Sequence, residues 1–414
     1  MRARSVNEVV NWLVVVLAFS IPLYRAWVSL AAALILILWF FQDGLGERAG
    51  RLRRHPLTLA ILAFLALNLL SLAWSSDPLE GVDYATKYRY LLLIPAVASS
   101  LQPRFVRPAL LAFLAGTALA ALMMPVVILG DLHFHRTHPG NPAVTMSHLD
   151  FSMVLAVAAL LVVVRLGHGG LEARQRLAWI ALLVVLFAGL LVNIGRSGQL
   201  AFVGTLPVLI PVVLRRRSGW ARAAGVLGAL AVIIAAYLLV PPFHERVDRA
   251  AVEIRDAVAE HRVDTNQGKR LAGMVVGLDI VREHPVVGTG IGGNMPEFRR
   301  LLGTDHPELE EAVGWFPHLH NQYLQIATEL GLVGLLSLAA IFVALFAGRY
   351  LDPLVRSAAV ALGCAYLLGF LGDPYLHKQL PLVLFALAAG IISSSDAALA
   401  PPPHSPSPQA SGHS

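Results

Sequence analysis

Five basic side chains and one pair of histidines are the residues of this chain whose types and spacing point to chemistry. Lys87 and Arg89 stand in Asp83-Tyr-Ala-Thr-Lys-Tyr-Arg-Tyr90, and Arg136 lies in a short polar stretch at 130–148. Arg196 sits in Gly195-Arg-Ser-Gly-Gln199, between two apolar runs with almost no loop, and Arg270 heads an amphipathic stretch. Guanidinium forks match phosphate oxygens, so several such cations at one face suit a diphosphate. Taken singly, each also suits a side chain that stretches to lipid headgroups. The histidines occur in Trp315-Phe-Pro-His-Leu-His-Asn-Gln-Tyr-Leu324, at the head of a long apolar run. A histidine at a helix N-terminus feels the positive end of the dipole and is kept neutral, and a neutral imidazole can act as a general base. A structural histidine bonded to backbone is the plainer alternative. His318, Asn321 and Tyr323 stand beside His320 as acceptor-binding or supporting residues. His133, His135, His138 and His148, with Asp131 and Asp150, have zinc-like spacing only in part, and no closed ligand set is visible. No metal or other cofactor is expected. The glycine turn 288–293 follows a helical pattern rather than a strand, so it is no nucleotide cradle.

The elements that must position these residues are written in the hydropathy. Of 414 residues, 57% are hydrophobic and 14% charged, against about 25% charged in soluble domains. The charges gather in short clusters between long apolar runs, the pattern of a chain solvated by lipid. The spacing predicts an all-α integral membrane protein of about twelve spans, at 9–24, 26–42, 57–74, 87–101, 108–129, 149–165, 177–194, 200–214, 223–240, 322–346, 357–371 and 379–394. The first run lacks a small-residue cleavage site and flows into the second, so it reads as a retained helix. Arginines at 48–54, 104–107, 165–176, 215–222 and 349–356 mark every second loop, which places those loops and both termini in the cytoplasm. The basic residues punctuate the chain and do not form one patch, which argues against nucleic acid. The lone cysteine, Cys364, excludes an intrachain disulfide framework.

Three regions follow: a polytopic membrane domain at 1–394, an external subdomain inserted within it at 241–321, and a disordered cytoplasmic tail at 395–414. The insert carries nine Lys/Arg and thirteen Asp/Glu, which suits a folded external cap. Its first helix is expected to carry Phe243, Val247, Ala251, Ile254 and Val258 on one face, and its second, about 270–283, Leu271, Met274, Val275, Leu278 and Val281 together.

The string Arg270…His284-Pro-Val-Val-Gly-Thr-Gly290…His320-Asn-Gln-Tyr-Leu324…Glu329-Leu-Gly-Leu-Val-Gly334 resembles the late-loop pattern of the bacterial O-antigen ligase and polymerase superfamily. Gly195-Arg-Ser-Gly198 is similar to that family's arginine-bearing external turn, here in the order Gly-Arg-Ser, and Ser71-Leu-Ala-Trp-Ser-Ser-Asp-Pro78 and the twelve-span layout are similar too. The resemblance implies a GT-C-like, metal-independent, inverting glycosyltransferase of the bacterial inner membrane with a periplasmic site. Its donor would be O-antigen on undecaprenyl diphosphate and its acceptor a sugar hydroxyl of lipid A-core. It assigns His320, Arg196 and Arg270 as catalytic residues; Lys87, Arg89 and Arg136 are added from charge and placement as diphosphate ligands. An O-antigen polymerase or a protein O-oligosaccharyltransferase would use the same donor. A secondary transporter is the rival from another class, but no repeated halves are visible.

Overall fold

A computed structural model describes residues 2–134, 137–143 and 146–399. The predicted ligand Arg136, the histidine His135 and residues 400–414 of the predicted tail lie outside the described residues. Eighteen α-helices follow one another: α1 (Arg2–Ser20), α2 (Arg25–Trp39), α3 (Leu45–Leu52), α4 (Pro56–Ser71), α5 (Pro78–Tyr88), α6 (Leu93–Ser100), α7 (Pro103–Leu129), α8 (His148–Gly167) and α9 (Ala173–Val192), then α10 (Arg196–Val213), α11 (Gly219–Leu239), α12 (Pro241–Ala259), α13 (Asn266–Glu283), α14 (Asn294–Thr304), α15 (Glu310–Val313), α16 (Gln322–Phe346), α17 (Pro353–Gly369) and α18 (Gln379–Ser393). No strand occurs among the described residues.

Seven helices are long and apolar enough to cross a membrane: α4 with its short continuation to Trp74, α7, α8, α9, α10, α11 and α16. Four shorter apolar helices, Val6–Ser20 of α1, α2, α17 and α18, match predicted spans one, two, eleven and twelve. The predicted fourth span does not form as one helix. Its sequence divides into the end of α5, a tight turn Arg89–Leu92 and the eight-residue α6, a length far short of a bilayer. Its apolar residues are buried instead against α18 and α2. The folded chain also continues past the predicted start of the tail, with Leu399 buried.

The bundle is centred on α8, 67% of whose apolar window is buried, whereas α11 buries only 6% and forms a lipid-facing edge. The α8–α10 contact is closest at the site end. A Cβ on Gly198 would lie 2.2 Å from the Ser152 carbonyl carbon, and one on Gly195 2.4 Å from the His148 oxygen; the Gly198 amide donates to Ser152 Oγ at 3.2 Å. Small residues at this crossing let Arg196 start its helix against the head of α8. Gly198→Ala is therefore expected to destabilise the protein by about 1–3 kcal/mol through overpacking, read as a lowered Tm in detergent.

Helix α16 carries a break that its apolar sequence conceals. Gly331 adopts φ 62°, ψ −154°, left-handed backbone that a side chain would strain. The turn 285–290 fills the gap. Leu332 and Val333 donate to the Pro285 and Val286 oxygens at 2.9 and 3.2 Å, and Thr289 and Gly290 donate to the Thr328 and Glu329 oxygens, both at 2.9 Å. Broken backbone at membrane depth is tolerated only where protein satisfies it, which explains why the His-Pro-Val-Val-Gly-Thr-Gly and Glu-Leu-Gly-Leu-Val-Gly segments work as a pair.

The 241–321 insert folds into α12–α15 around its own apolar cluster, including Val276, Phe298, Leu301 and Phe316. In neither helix does the apolar face as a whole pack inward. In α12, Phe243 is buried but Val247, Ile254 and Val258 are exposed, because the helix turns Glu253 inward to meet Arg196. In α13, Val275 and Leu278 are exposed, and the buried face is Ala272, Val276 and Ile280 with Gly273 and Gly277. The glycines decide it: Phe316 comes within 2.9 Å of a Cβ placed on Gly273, and Leu324 within 2.7 Å of one on Gly277. Side chains there would push the cap off the head of α16.

Candidate functional site

The heads of α8, α10 and α16 and the turn 372–378 meet at one end of the bundle, beneath the cap. Two residues join α16 to the turn. Asn321 caps the helix, its Oδ1 accepting from the Leu324 amide at 3.0 Å. Gln322 donates its amide to the Phe370 oxygen at 2.9 Å, while its Oε1 accepts from Leu376 at 2.8 Å. Tyr323 ties the same helix to α17 through the Leu367 oxygen at 2.7 Å. Asn321 and Tyr323 thus spend these polar groups on the scaffold, in supporting roles.

His320 is the residue this scaffold displays. Its φ is +51°, sparsely populated for a non-glycine residue and a mark of functional sites when the surroundings enforce it. Its Nδ1 lies 3.4 Å from Oδ1 of Asp373, which is fully buried, and neither atom has hydrogen-bond geometry to any described group. Lys378 pairs with the other Asp373 oxygen and lies 3.9 Å from Asp150. Burial alone would raise the Asp373 carboxyl, but the Lys378 ammonium and then the His320 ring outweigh it and hold the acid well below the usual carboxylate range. His318 stacks edge-on with His320 at 4.4 Å between ring centres, and burial pushes it down to about 3. His318, His320 and Asp373 offer ligand atoms within 4.8 Å of one another; the ammonium already on Asp373 compensates the charge a cation would seek.

Arg196 is half-buried and meets Glu253 of α12 at 3.5 Å. Glu253 also accepts from the Gln267 amide at 3.3 Å, so α12, α10 and the start of α13 are linked through one carboxylate. A Cβ on Gly372 would strike Ser197 Oγ at 2.4 Å, so the Arg196 turn and the Asp373 turn abut directly. Arg270 is half-buried and makes no ion pair or side-chain hydrogen bond with a described residue. It lies within electrostatic reach of His148, as do Lys378 and Asp373. Arg270 thus shares the electrostatic surroundings of His148 with Lys378 and Asp373, and the Arg196 turn packs on the head of α8 that bears His148.

Lys87 and Arg89 line a neighbouring cavity of about 490 Å³, together with Arg25, Asp150 and Lys378. Lys87 is paired with Asp83 at 2.7 Å, which weakens it as an anion ligand. Behind this cavity, buried His377 accepts or donates at 2.8 Å to Tyr88 Oη and lies 3.3 Å from buried Glu329. Among the described residues, the histidines of 133–148 do not gather into a ligand set, His133 and His138 stacking on each other at 6.2 Å between centres. Asp373, Lys378, Arg25 and Gln322 escaped the sequence reading. Only an Asp-Pro turn and a lysine in a predicted external loop marked two of them.

Residues 180–339, from the middle of α9 to the second half of α16, match the family model described as O-Antigen ligase. No curated protein matches the chain. The match takes in Arg196, Arg270 and His320 and leaves Lys87, Arg89, Asp373 and Lys378 outside it. The candidate site of this multi-pass membrane protein thus lies in a segment, well under half of the chain, that is similar to the O-antigen ligase family.

Proposed function

We propose that the protein is the O-antigen ligase of its cell, transferring O-antigen from undecaprenyl diphosphate to a sugar hydroxyl of lipid A-core at the periplasmic face of the inner membrane. The observation that carries this reading is His320, held in left-handed backbone against the buried Asp373 carboxylate, at the end of the bundle where Arg196 begins α10. A proton on Nδ1, the ring atom 3.4 Å from that carboxylate, leaves Nε2 with its lone pair, the form a base requires. The acceptor hydroxyl is a poor nucleophile. As its oxygen bonds to the anomeric carbon, its proton passes to His320 Nε2. The anomeric bond to the diphosphate oxygen breaks, and undecaprenyl diphosphate leaves with the electron pair. Arg196 and Arg270 stabilise the charge that grows there. A single displacement inverts the anomeric centre, and the existing leaving group needs no metal. Lys87 and Arg89 stand nearby as diphosphate ligands.

His318 stays neutral above about pH 3. His318→Asn is therefore expected to leave the shape of the pH–rate profile unchanged through the neutral range, checked by measuring transfer rate against pH.

Deletion of the gene in its host tests the acceptor. The ligase reading predicts core without attached O-antigen and accumulation of lipid-linked polymer. Core that carries one repeat unit only would identify a polymerase instead, and solute uptake into liposomes unaffected by His320→Ala would identify a transporter.

A further inference from the structure

Three cavities run in series along α2. The first, about 490 Å³, is the cationic one at the site end. The second, about 580 Å³, shares Arg89, Tyr90 and Gln379 with it and is floored on α2 by Ala26, Ser29 and Ala33. The third, about 320 Å³, shares Leu36 with the second and ends among Trp39, Phe40 and other apolar side chains. The small residues at 26, 29 and 33 fall three and four apart, on one face of the helix. They leave a trough flanked by Leu30 and Leu36, and α2 carries it for about 22 Å.

The head of this trough has charge to spare. Lys87 is matched by Asp83 and Lys378 by Asp373. Arg25 and Arg89 have only neutral partners among the described residues. Arg25 Nε donates to Gln379 Oε1 at 2.6 Å, while Arg89 donates to the Thr86 oxygen at 2.5 Å and to Tyr90 Oη at 3.3 Å. Asp150 also lines this cavity, 3.9 Å from Lys378 and within electrostatic reach of Arg25. The four cations lining it outnumber the carboxylates, and two guanidinium groups without an ion pair suit a dianionic head. Lys378 lines the same cavity and pairs with Asp373, which meets His320, so a head seated there is continuous with the transfer site.

We infer that this groove is the seat of the donor lipid: the diphosphate lies on Arg25 and Arg89, and the single polyprenyl chain runs down the Ala26–Ser29–Ala33 trough toward Trp39. The assignment rests on the ligase reading for the identity of the donor. A lipid with several acyl chains needs room for tails side by side, which a trough along one helix does not offer.

Binding of glycan-free undecaprenyl diphosphate to the purified full chain in detergent tests the inference without requiring turnover. Ala33→Trp fills the trough on the exposed side of α2 and is expected to weaken binding at least about tenfold, with Ala33→Leu intermediate. Arg25→Gln with Arg89→Gln should weaken it as strongly, most at low salt. In transfer assays Ala33→Trp should raise the KM for the undecaprenyl donor, and an unchanged melting profile in detergent shows that the variant is folded. Unchanged binding in Ala33→Trp, or displacement of the probe as readily by phosphatidylglycerol or by core lipid, would overturn the inference. Binding as expected with no glycan transfer from any donor would leave the groove standing and remove the ligase reading instead.

Discussion

His320→Ala is expected to lower the rate of glycan transfer by about 10²- to 10⁴-fold, the range spanned by positioned general bases. The loss should fall on kcat, with donor KM little changed, because an imidazole that takes the acceptor proton contributes in the transition state and little to ground-state binding. Asp373→Asn should cost less, since an amide oxygen can still face Nδ1 while the charge that stabilises the imidazolium is gone. Asp373→Glu is a poorer rescue than it looks on paper: the site is fully buried, and an added methylene must displace the Lys378 pair or the turn itself. Steady-state kinetics of the three variants, with expression and melting checked in parallel, separate these effects.

The second large effect belongs to the arginines. Arg196→Ala and Arg270→Ala are each expected to reduce transfer by about 10²- to 10³-fold, the cost of removing one donor aimed at developing negative charge. Lysine should restore little at either position, because a point charge does not reproduce the planar fork on a diphosphate. The two residues differ in their surroundings, and the difference is testable. Arg196 is tethered to the cap through Glu253, so Glu253→Gln should lower activity modestly by loosening α12. Arg270 has no such tether among the described residues. The neighbouring Arg246 is not a substitute for either: it donates to the oxygens of Leu191, Val192 and Asn193 at 3.0–3.1 Å and is committed to the end of α9.

Much of this site was legible from residue types alone, and the reasons for the exceptions are physical. Arg196, Arg270 and His320 stand out because charge is costly beside apolar runs, so its presence there signals a task. Asp373 does not stand out. An Asp-Pro in a short turn looks like ordinary turn chemistry, and its complete burial arises only when Gln322 stitches the turn to α16, across some fifty residues of chain. Arg25 reads as a boundary residue between two spans until α18 brings Gln379 to it. The division of the fourth predicted span at Arg89–Leu92 was not legible, because a buried helix and a spanning helix share the same apolar composition. In the cap, which face packs inward was hidden for a different reason. Periodicity ranks side chains by hydrophobicity, whereas α13 packs on the glycines that let Phe316 and Leu324 approach. The break at Gly331 was hidden for a related reason, since its backbone is satisfied by a turn more than forty residues earlier.

The most direct test of the central claim is transfer by the purified protein, given undecaprenyl-diphosphate-linked O-antigen and lipid A-core in the presence of a chelator. The account predicts that the wild-type protein attaches glycan to core under these conditions and that His320→Ala, Arg196→Ala and Arg270→Ala, though folded, do not. Attachment at wild-type rates by all three variants would contradict it.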